Sequence, residues 1–423
     1  MAYTKVVIIG GGFGGLNAAK ALKGARMEIL VIDRTNHHLF QPLLYEVATA
    51  ALSPGEIATP LREVLRHQEN TSVIMGEVIH VDTKKRQITM ANHDILGYDY
   101  LVIATGARHS YFGNDAWETH ARGLKTVNDA VKIRENILIS FEKAERLDSF
   151  AEAAKYLNFV VIGGGPTGVE MAGAIAEIAH KTMYKNFRRV RPENSKIYLI
   201  EALPHILPSY PEKLSRRATQ DLEHMGVKVL TGKKVTNINE EGVQVDDQFI
   251  ACKNIIWAAG NQASPLLKTL EIPLDRVGRA IVDLDLSIPG YPEVFVIGDA
   301  ACVMGKEGKP LPAIAPAAIQ EGKYVAKSIR EGIPKDQRKP YEYFDKGSMA
   351  TIGKAKAIAV FGKLQFTGFI AWLAWAFIHV VYLVGFRSRI GVMLEWGATL
   401  ITGQRGVRLI TRPIDQEIKK GTQ

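Results

Sequence analysis

Cysteine is nearly absent. The 423 residues contain two, Cys252 and Cys302, and no CxxC pair. That excludes a disulfide framework, a cysteine-based zinc site and a dithiol active site of neighbouring cysteines. Both thiols are expected to be buried and inert, and no metal is expected. No secretory leader is expected, because the apolar run Val6–Ile9 is short and leads straight into glycines. The chain is therefore expected to start, and mostly stay, in the cytoplasm. One further scarcity is local. No Asp, Glu, Lys or Arg occurs from Leu364 to Phe386, a stretch longer than the roughly 20 apolar residues that span a bilayer.

What is present bounds the class. Apolar residues make up 47% of the chain, enough for large cores, and the length suggests two or three domains. The net charge is +9. Seven basic residues follow Phe386: Arg387, Arg389, Arg405, Arg408, Arg412, Lys419 and Lys420, opposed by Glu395, Asp415 and Glu417. Basic excess beside an apolar stretch points to anionic lipid, at about 1 kcal/mol per residue near the surface, and Arg405, Arg408 and Arg412 are expected to face it. No nucleic-acid partner is expected.

The N-terminal half repeats one pattern. Lys5–Ile9 reads as a buried strand, Gly10-Gly-Gly-Phe-Gly-Gly15 as a loop, Leu16–Leu22 as a helix, and Glu28–Ile32 as a second strand ending at Asp33. Glycines there permit a tight turn and close approach of a pyrophosphate to the helix N-terminus, and the acid suits ribose hydroxyls. The pattern returns as Phe159–Ile162, Gly163-Gly-Gly-Pro-Thr-Gly168, Val169–Ala179 and Lys196–Ile200, ending at Glu201. Both units close alike, at Tyr100–Gly106 and Asn254–Gly260, with 96 and 97 residues from first to closing glycine. Short β-like segments precede each close: Ser72–Val81 with Arg86–Met90, and Val227–Leu230 with Val243–Val245. A third signal, Val294-Phe-Val-Ile-Gly-Asp-Ala-Ala301, precedes a helical run over Ala317–Arg330 and is assigned to the first domain. The fold class is α/β: two Rossmann-like dinucleotide-binding domains with β-meander crossovers, plus a C-terminal amphipathic helical region that anchors to membrane. The domains are drawn at 1–115 with 286–345, at 116–285, and at 346–423. Two dinucleotide sites in one chain suggest that electrons pass between two dinucleotides.

The order of these motifs resembles the two-dinucleotide-binding flavoprotein superfamily. Within it the chain resembles the type II, non-proton-pumping NADH:quinone oxidoreductases. The blocks that carry the resemblance are HHLFQPLLYEVATAALSPGEIATPLR at 37–62, GGGPTGVEMAGAIAE at 163–177, GSMATIGKAKAIA at 347–359 and the terminal FIAWLAWAFIHVVYLVGFRSR. The resemblance implies FAD at the first site, held by Gly10, Gly12, Phe13, Gly14 and Gly15, with Asp33 and Arg34. Val78, Ala104, Thr105 and Gly106 join them, as do Gly298, Asp299 (on the ribityl chain) and Ala317. It implies a nicotinamide dinucleotide at Gly163, Gly165, Thr167, Gly168, Glu201, Ala259 and Gly260. A carboxylate at Glu201, followed by Ala202 and Leu203, favours NADH over NADPH. The family's quinone signature, approximately AQxAxQ, here reads Ala315-Pro-Ala-Ala-Ile-Gln320, with Pro316 where the first glutamine stands. Pro316, Ile319, Gln320 and Tyr382 are the quinone candidates. The catalytic candidates are Glu170, Gln320 and His379. Glu170 matches a family carboxylate near nicotinamide and quinone, where it either positions substrate or relays a proton; the other reading is a helix-start acid favoured by the dipole. His379 is either a functional group at membrane depth or a neutral imidazole held by a backbone carbonyl.

The tail then has a purpose, because a quinone is a lipid-soluble substrate. Gln365, Gly368, Trp372, Trp375, His379, Tyr382 and Phe386 recur at helical spacing, so they are expected on one face of a helix lying in the interface or packed on the protein. Ile390–Ile401 reads as a second apolar helix. The expected activity is electron transfer from NADH through FAD to ubiquinone or menaquinone at the cytoplasmic face of the membrane, by a monotopic homodimer. The rival readings are a membrane-bound redox sensor without fast quinone turnover and a soluble ferredoxin reductase.

Overall fold

The computed structural model describes residues 3–305 and 308–411. Two compact units emerge. The first comprises 1–39, 58–108 and 261–346; the second comprises 40–57, 109–260 and 347–423.

The first unit is built on a six-stranded sheet. Thr4–Ile9 lies between Met27–Asp33 and Tyr100–Ile103, with Thr71–Met75 beyond the former and Tyr291–Val296 then Ser287–Ile288 beyond the latter. All pairings are parallel except the last. Val6–Ile9 is buried throughout, as β-branched residues covered on both sheet faces require. Helix Phe13–Ala21 packs against helix Ala315–Arg330. The run Ser72–Val81 divides: its first half joins the main sheet, while Val78–Asp82 opens an antiparallel meander with Gln87–Met90 and Ile95–Gly97.

The second unit repeats the plan with five parallel strands in the order Ala121–Gly123, Asn254–Trp257, Asn158–Ile162, Lys196–Glu201, Val227–Thr231. Val227–Leu230, one of the β-like segments before the close, is a strand and pairs in the main sheet with the strand that ends in Glu201, not in the meander. The meander is Val235–Asn239, Gly242–Val245 and Gln248–Ala251. Helix Pro166–Glu177 follows the second glycine loop.

The C-terminal part of this unit is not wholly helical. It begins as a three-stranded antiparallel sheet, Ser348–Gly353, Lys356–Phe361 and Leu364–Thr367. Helices Gly368–Tyr382 and Phe386–Thr402 follow. The uncharged run is therefore divided among a strand, a helix and the start of another helix. Gln365 is in the strand and Phe386 opens the second helix, so the seven-residue stripe is a helix face only from Gly368 to Tyr382. There Trp372 and Trp375 are buried, whereas Phe369, Ile370, Leu373, Phe377 and Val381 are exposed. Among the described residues no helix is long and apolar enough to cross a membrane.

Candidate dinucleotide sites and a buried carboxyl cluster

The two glycine loops have the same geometry. Gly10 has φ +103° and Gly163 φ +109°, a region that glycine enters without steric cost. Their N–H groups donate to Ile32 O and Ile200 O, each at 2.8 Å. A Cβ on Gly15 would lie 1.9 Å from the Gly10 carbonyl oxygen, and one on Gly168 1.8 Å from that of Gly163. Gly12 and Gly165 are the N-caps of the following helices. A Cβ on either meets nothing within 4 Å, so each helix N-terminus faces open space, with its first N–H groups free of a side-chain cap. Such a cradle fits a pyrophosphate.

The strand-end acids do more than the sequence implied. Asp33 Oδ2 accepts from Gly11 N at 2.6 Å, and its Oδ1 accepts from Thr35 N at 2.7 Å. Glu201 Oε2 accepts from Gly164 N at 2.6 Å, and its Oε1 from Leu203 N at 2.8 Å. Each carboxylate thus fixes the middle of its own glycine loop. Sequence reasoning missed His38: buried, it donates from Nδ1 to Gly11 O at 3.0 Å and meets Phe13 edge-on at 5.1 Å. Burial lowers its pKa to about 4. Its only sequence signal was its place in the HHLF block.

The other first-unit candidates fall into three groups. Ala104, Thr105 and Gly106 follow the closing strand, and Thr105 Oγ1 is buried without a hydrogen-bond partner among the described residues, which suits a polar ligand. Gly298, with φ +68°, donates its N–H to buried Glu321 at 2.5 Å beside Asp299, and Ala317 is buried in the first turn of its helix. Arg34 is exposed, 3.8 Å from Glu77, and Val78 is buried in the meander. Pro316 sits in the first turn of helix Ala315–Arg330, and Ile319 follows within it. Gln320 is clamped by Phe344: its Nε2 donates to Phe344 O and its Oε1 accepts from Phe344 N, both at 3.0 Å. In the second unit Thr167 is exposed in its helix's first turn, and Ala259 and Gly260 follow the closing strand.

Glu170 lies one turn into helix Pro166–Glu177. Burial raises its carboxyl pKa well above the usual range; an N–H bond from Thr351 opposes the shift and the Glu46 charge adds to it. Around it is a cluster that sequence reasoning did not bring together, although Tyr45, Glu46 and Thr351 lie in the blocks 37–62 and 347–359. Tyr45 Oη bonds Glu46 at 3.1 Å and Thr351 Oγ1 at 3.0 Å. Trp396 Nε1 donates to Glu46 Oε2 at 2.7 Å. Arg405 corrects the lipid-facing expectation: it is 6% exposed. Its guanidinium donates to Thr49 O and Oγ1 at 2.7 Å and to Glu177 at 2.8 Å. Arg408 is partly buried, bonding Arg405 O and Thr182 O. Arg389 caps the preceding helix through Leu383 O and Val381 O. Arg387 is exposed, and Arg412, Lys419 and Lys420 lie outside the described residues. His379 donates from Nδ1 to Trp375 O at 2.7 Å, and burial lowers its pKa to about 4. Tyr382 ends that helix.

Residues 4–322 match the family model for pyridine nucleotide-disulphide oxidoreductases, and residues 346–405 match that for the NDH2 C-terminal domain. The chain is 46% identical to the type II NADH:quinone oxidoreductase Ndh of Mycobacterium tuberculosis, over 96% of this chain and 90% of that one. The chain belongs to the type II NADH:quinone oxidoreductase family. NdhA of the same organism is 44% identical over 96% of this chain and 89% of its own length. In fold, the chain is similar to the NDH2 of Plasmodium falciparum in complex with NADH. The TM-score is 0.88 at 21% identity, covering 96% of this chain and 100% of that one.

Proposed function

We propose that this chain oxidises NADH and reduces a membrane quinone through bound FAD, without pumping protons. The observation that carries this is the pair of glycine cradles, each open at a helix N-terminus and each braced by a carboxylate. When bound, FAD supplies the two-electron couple that links a nicotinamide to a quinone. Residues 1–115 and 286–345 serve FAD and 116–285 serve NADH. The first loop, Asp33, Thr105 and Asp299 hold the flavin dinucleotide. The second loop and Glu201 hold NADH, and the carboxylate disfavours a 2′-phosphate. Glu170 holds a proton beside the reacting groups. Pro316, Ile319, Gln320 and Tyr382 orient quinone, and neutral His379 offers Nε2 as an acceptor.

Residues 346–423 associate with membrane. The exposed Phe369, Ile370, Leu373 and Phe377 form an apolar face suited to lying in the interface, at the cytoplasmic side, in a homodimer. The test is NADH oxidation by purified protein in detergent with a short-chain quinone, with the released flavin identified. FAD release and quinone-dependent turnover are expected. Protein whose flavin bleaches with NADH but is not reoxidised by quinone would instead be a redox sensor.

A further inference from the structure

We propose that Glu46, Tyr45 and Thr351 form a proton relay that reloads Glu170 during quinone reduction. The inference rests on the quinone-reductase reading and adds three residues to it. The stoichiometry demands a proton: NADH + H⁺ + quinone gives NAD⁺ + quinol. The two electrons and one hydrogen of quinol derive from NADH, and the other hydrogen must enter as a proton from the protein.

The hydrogen-bond geometry permits two orderings of the same atoms. With Glu46 ionised, Tyr45 donates to Glu46 Oε1 at 3.1 Å and Thr351 Oγ1 donates to Tyr45 Oη at 3.0 Å. With Glu46 protonated, each bond reverses: the carboxyl donates to Tyr45, Tyr45 donates to Thr351, and the Thr351 hydroxyl hydrogen is released to point onward. Passing from the second ordering to the first moves one proton from Glu46 to the far side of Thr351 without moving a heavy atom. Thr351 also donates its backbone N–H to the Glu170 carboxyl, so the residue that ends the hydroxyl chain is the one that holds Glu170, and the relay is proposed to end there. Glu170 protonates a quinone oxygen, the relay restores its proton, and water restores that of Glu46.

The surroundings let Glu46 exchange its proton near neutrality. It lies on the short helix Leu44–Ala48, 7% exposed. Burial raises its pKa to about 7, the Trp396 N–H, Arg405 and Tyr45 hold it down, and Glu177 pushes it up. From helix Val127–Arg146, which packs against Leu44–Ala48, the buried charged side chains are Arg134 and Glu135. Arg405 is shared with Glu177, so Glu46 is not locked as a carboxylate by a dedicated cation. An ionised Glu46 disfavours ionisation of Glu170, so Glu170 favours taking a proton back once it has given one up.

The test compares Glu46→Gln, Tyr45→Phe, Thr351→Val and Thr351→Ser with wild type in two assays across pH. One acceptor is a short-chain quinone; the other is ferricyanide, which takes electrons and no proton. Glu46→Gln, Tyr45→Phe and Thr351→Val should lower quinone kcat by at least about tenfold. They should abolish its ionisation near neutral pH, with FAD content kept and ferricyanide turnover changed by less than about twofold. Thr351→Ser, which restores the hydroxyl, should recover quinone turnover. Wild-type quinone kcat and pH profile in Glu46→Gln overturn the relay. So does an equal loss in both assays, which marks a purely structural role. Wild-type protein that reduces ferricyanide but no quinone overturns the underlying reading and the relay with it.

Discussion

Glu201 accepts the backbone N–H of Gly164 at 2.6 Å. The carboxylate proposed to select the nicotinamide dinucleotide therefore also braces the loop that would bind its pyrophosphate, and the two roles should fail together. Glu201→Gln keeps an acceptor but loses the charge. The preference for NADH over NADPH in kcat/KM is expected to fall by about tenfold as repulsion of the 2′-phosphate is lost. Stability should drop by about 1 kcal/mol through a weakened charge-assisted bond. An unchanged NADH/NADPH ratio would show that Glu201 does not meet the ribose.

Gly12→Val separates binding from folding. Gly12 has φ −68° and ψ −161°, which valine adopts, and an added Cβ meets no protein atom within 4 Å. The variant should fold with wild-type circular dichroism yet purify without flavin, because the side chain occupies the space above the helix N-terminus. A normal yellow, FAD-loaded spectrum would sink this. Gly15→Ala is the contrast: its Cβ would overlap the Gly10 carbonyl, so the fold itself should suffer.

His38 provides a pH test with a defined sign. Its folded pKa of about 4 lies below the ordinary 6.5 because burial disfavours the charged ring. The unfolded chain binds the proton first as pH falls, so this contribution is complete above about pH 6.5 and is lost between there and about pH 4, up to ~3 kcal/mol. Glu46 and Glu321 are both raised to about 7 by burial. They act oppositely, stabilising below about pH 4.5 and losing that contribution as pH rises through 7. The net curve mixes these terms; the difference between wild type and His38→Asn isolates the histidine. A difference that does not change between pH 7 and pH 4.5, in urea unfolding, would contradict the assignment.

Arg405 should behave as a buried ion-pair member rather than as a lipid-facing charge. Arg405→Met leaves Glu177 and the Thr49 carbonyl without their donor, and stability is expected to fall by about 3–5 kcal/mol. Arg387→Gln, at an exposed site, should leave stability unchanged and weaken binding to anionic vesicles, with a wild-type advantage that shrinks as salt rises. Equal melting temperatures for Arg405→Met and wild type would refute the buried role.

What was legible in the sequence divides along chain separation. Gly10–Gly15 with Asp33, and Gly163–Gly168 with Glu201, are local patterns whose spacing encodes a strand, turn, helix and strand, and the structure has those elements. The carboxyl cluster was not legible. Tyr45, Glu46, Thr351, Trp396 and Arg405 come from segments up to 360 positions apart; the first three lie in the blocks 37–62 and 347–359, but nothing in those blocks says that they meet. Arg405 was misread because a basic residue near an apolar run looks solvent-facing until its partner is known. The β-like runs near 72 and 227 are strands, as their composition implies, but an isolated apolar run does not say which sheet it joins.

The tail offers the last test. Trp372 and Trp375 pack inward, and Trp396 and Arg405 bond buried groups. Deleting residues 363–423 would therefore remove structural contacts along with any membrane contact, and loss of activity would be ambiguous. Changing only the outward face avoids this. Phe369, Ile370, Leu373 and Phe377 are exposed, so replacing all four by Gln removes apolar area without opening a cavity. Each large side chain buried in the interface is worth about 1.5–3 kcal/mol. The quadruple variant should thus leave the membrane fraction and float poorly with vesicles, while its melting temperature and FAD content stay near wild type. Turnover with a water-soluble quinone should persist, and turnover with a long-chain quinone held in vesicles should collapse. If the variant still floats with vesicles and reduces their quinone at the wild-type rate, the exposed face of Gly368–Tyr382 is not the membrane-binding surface.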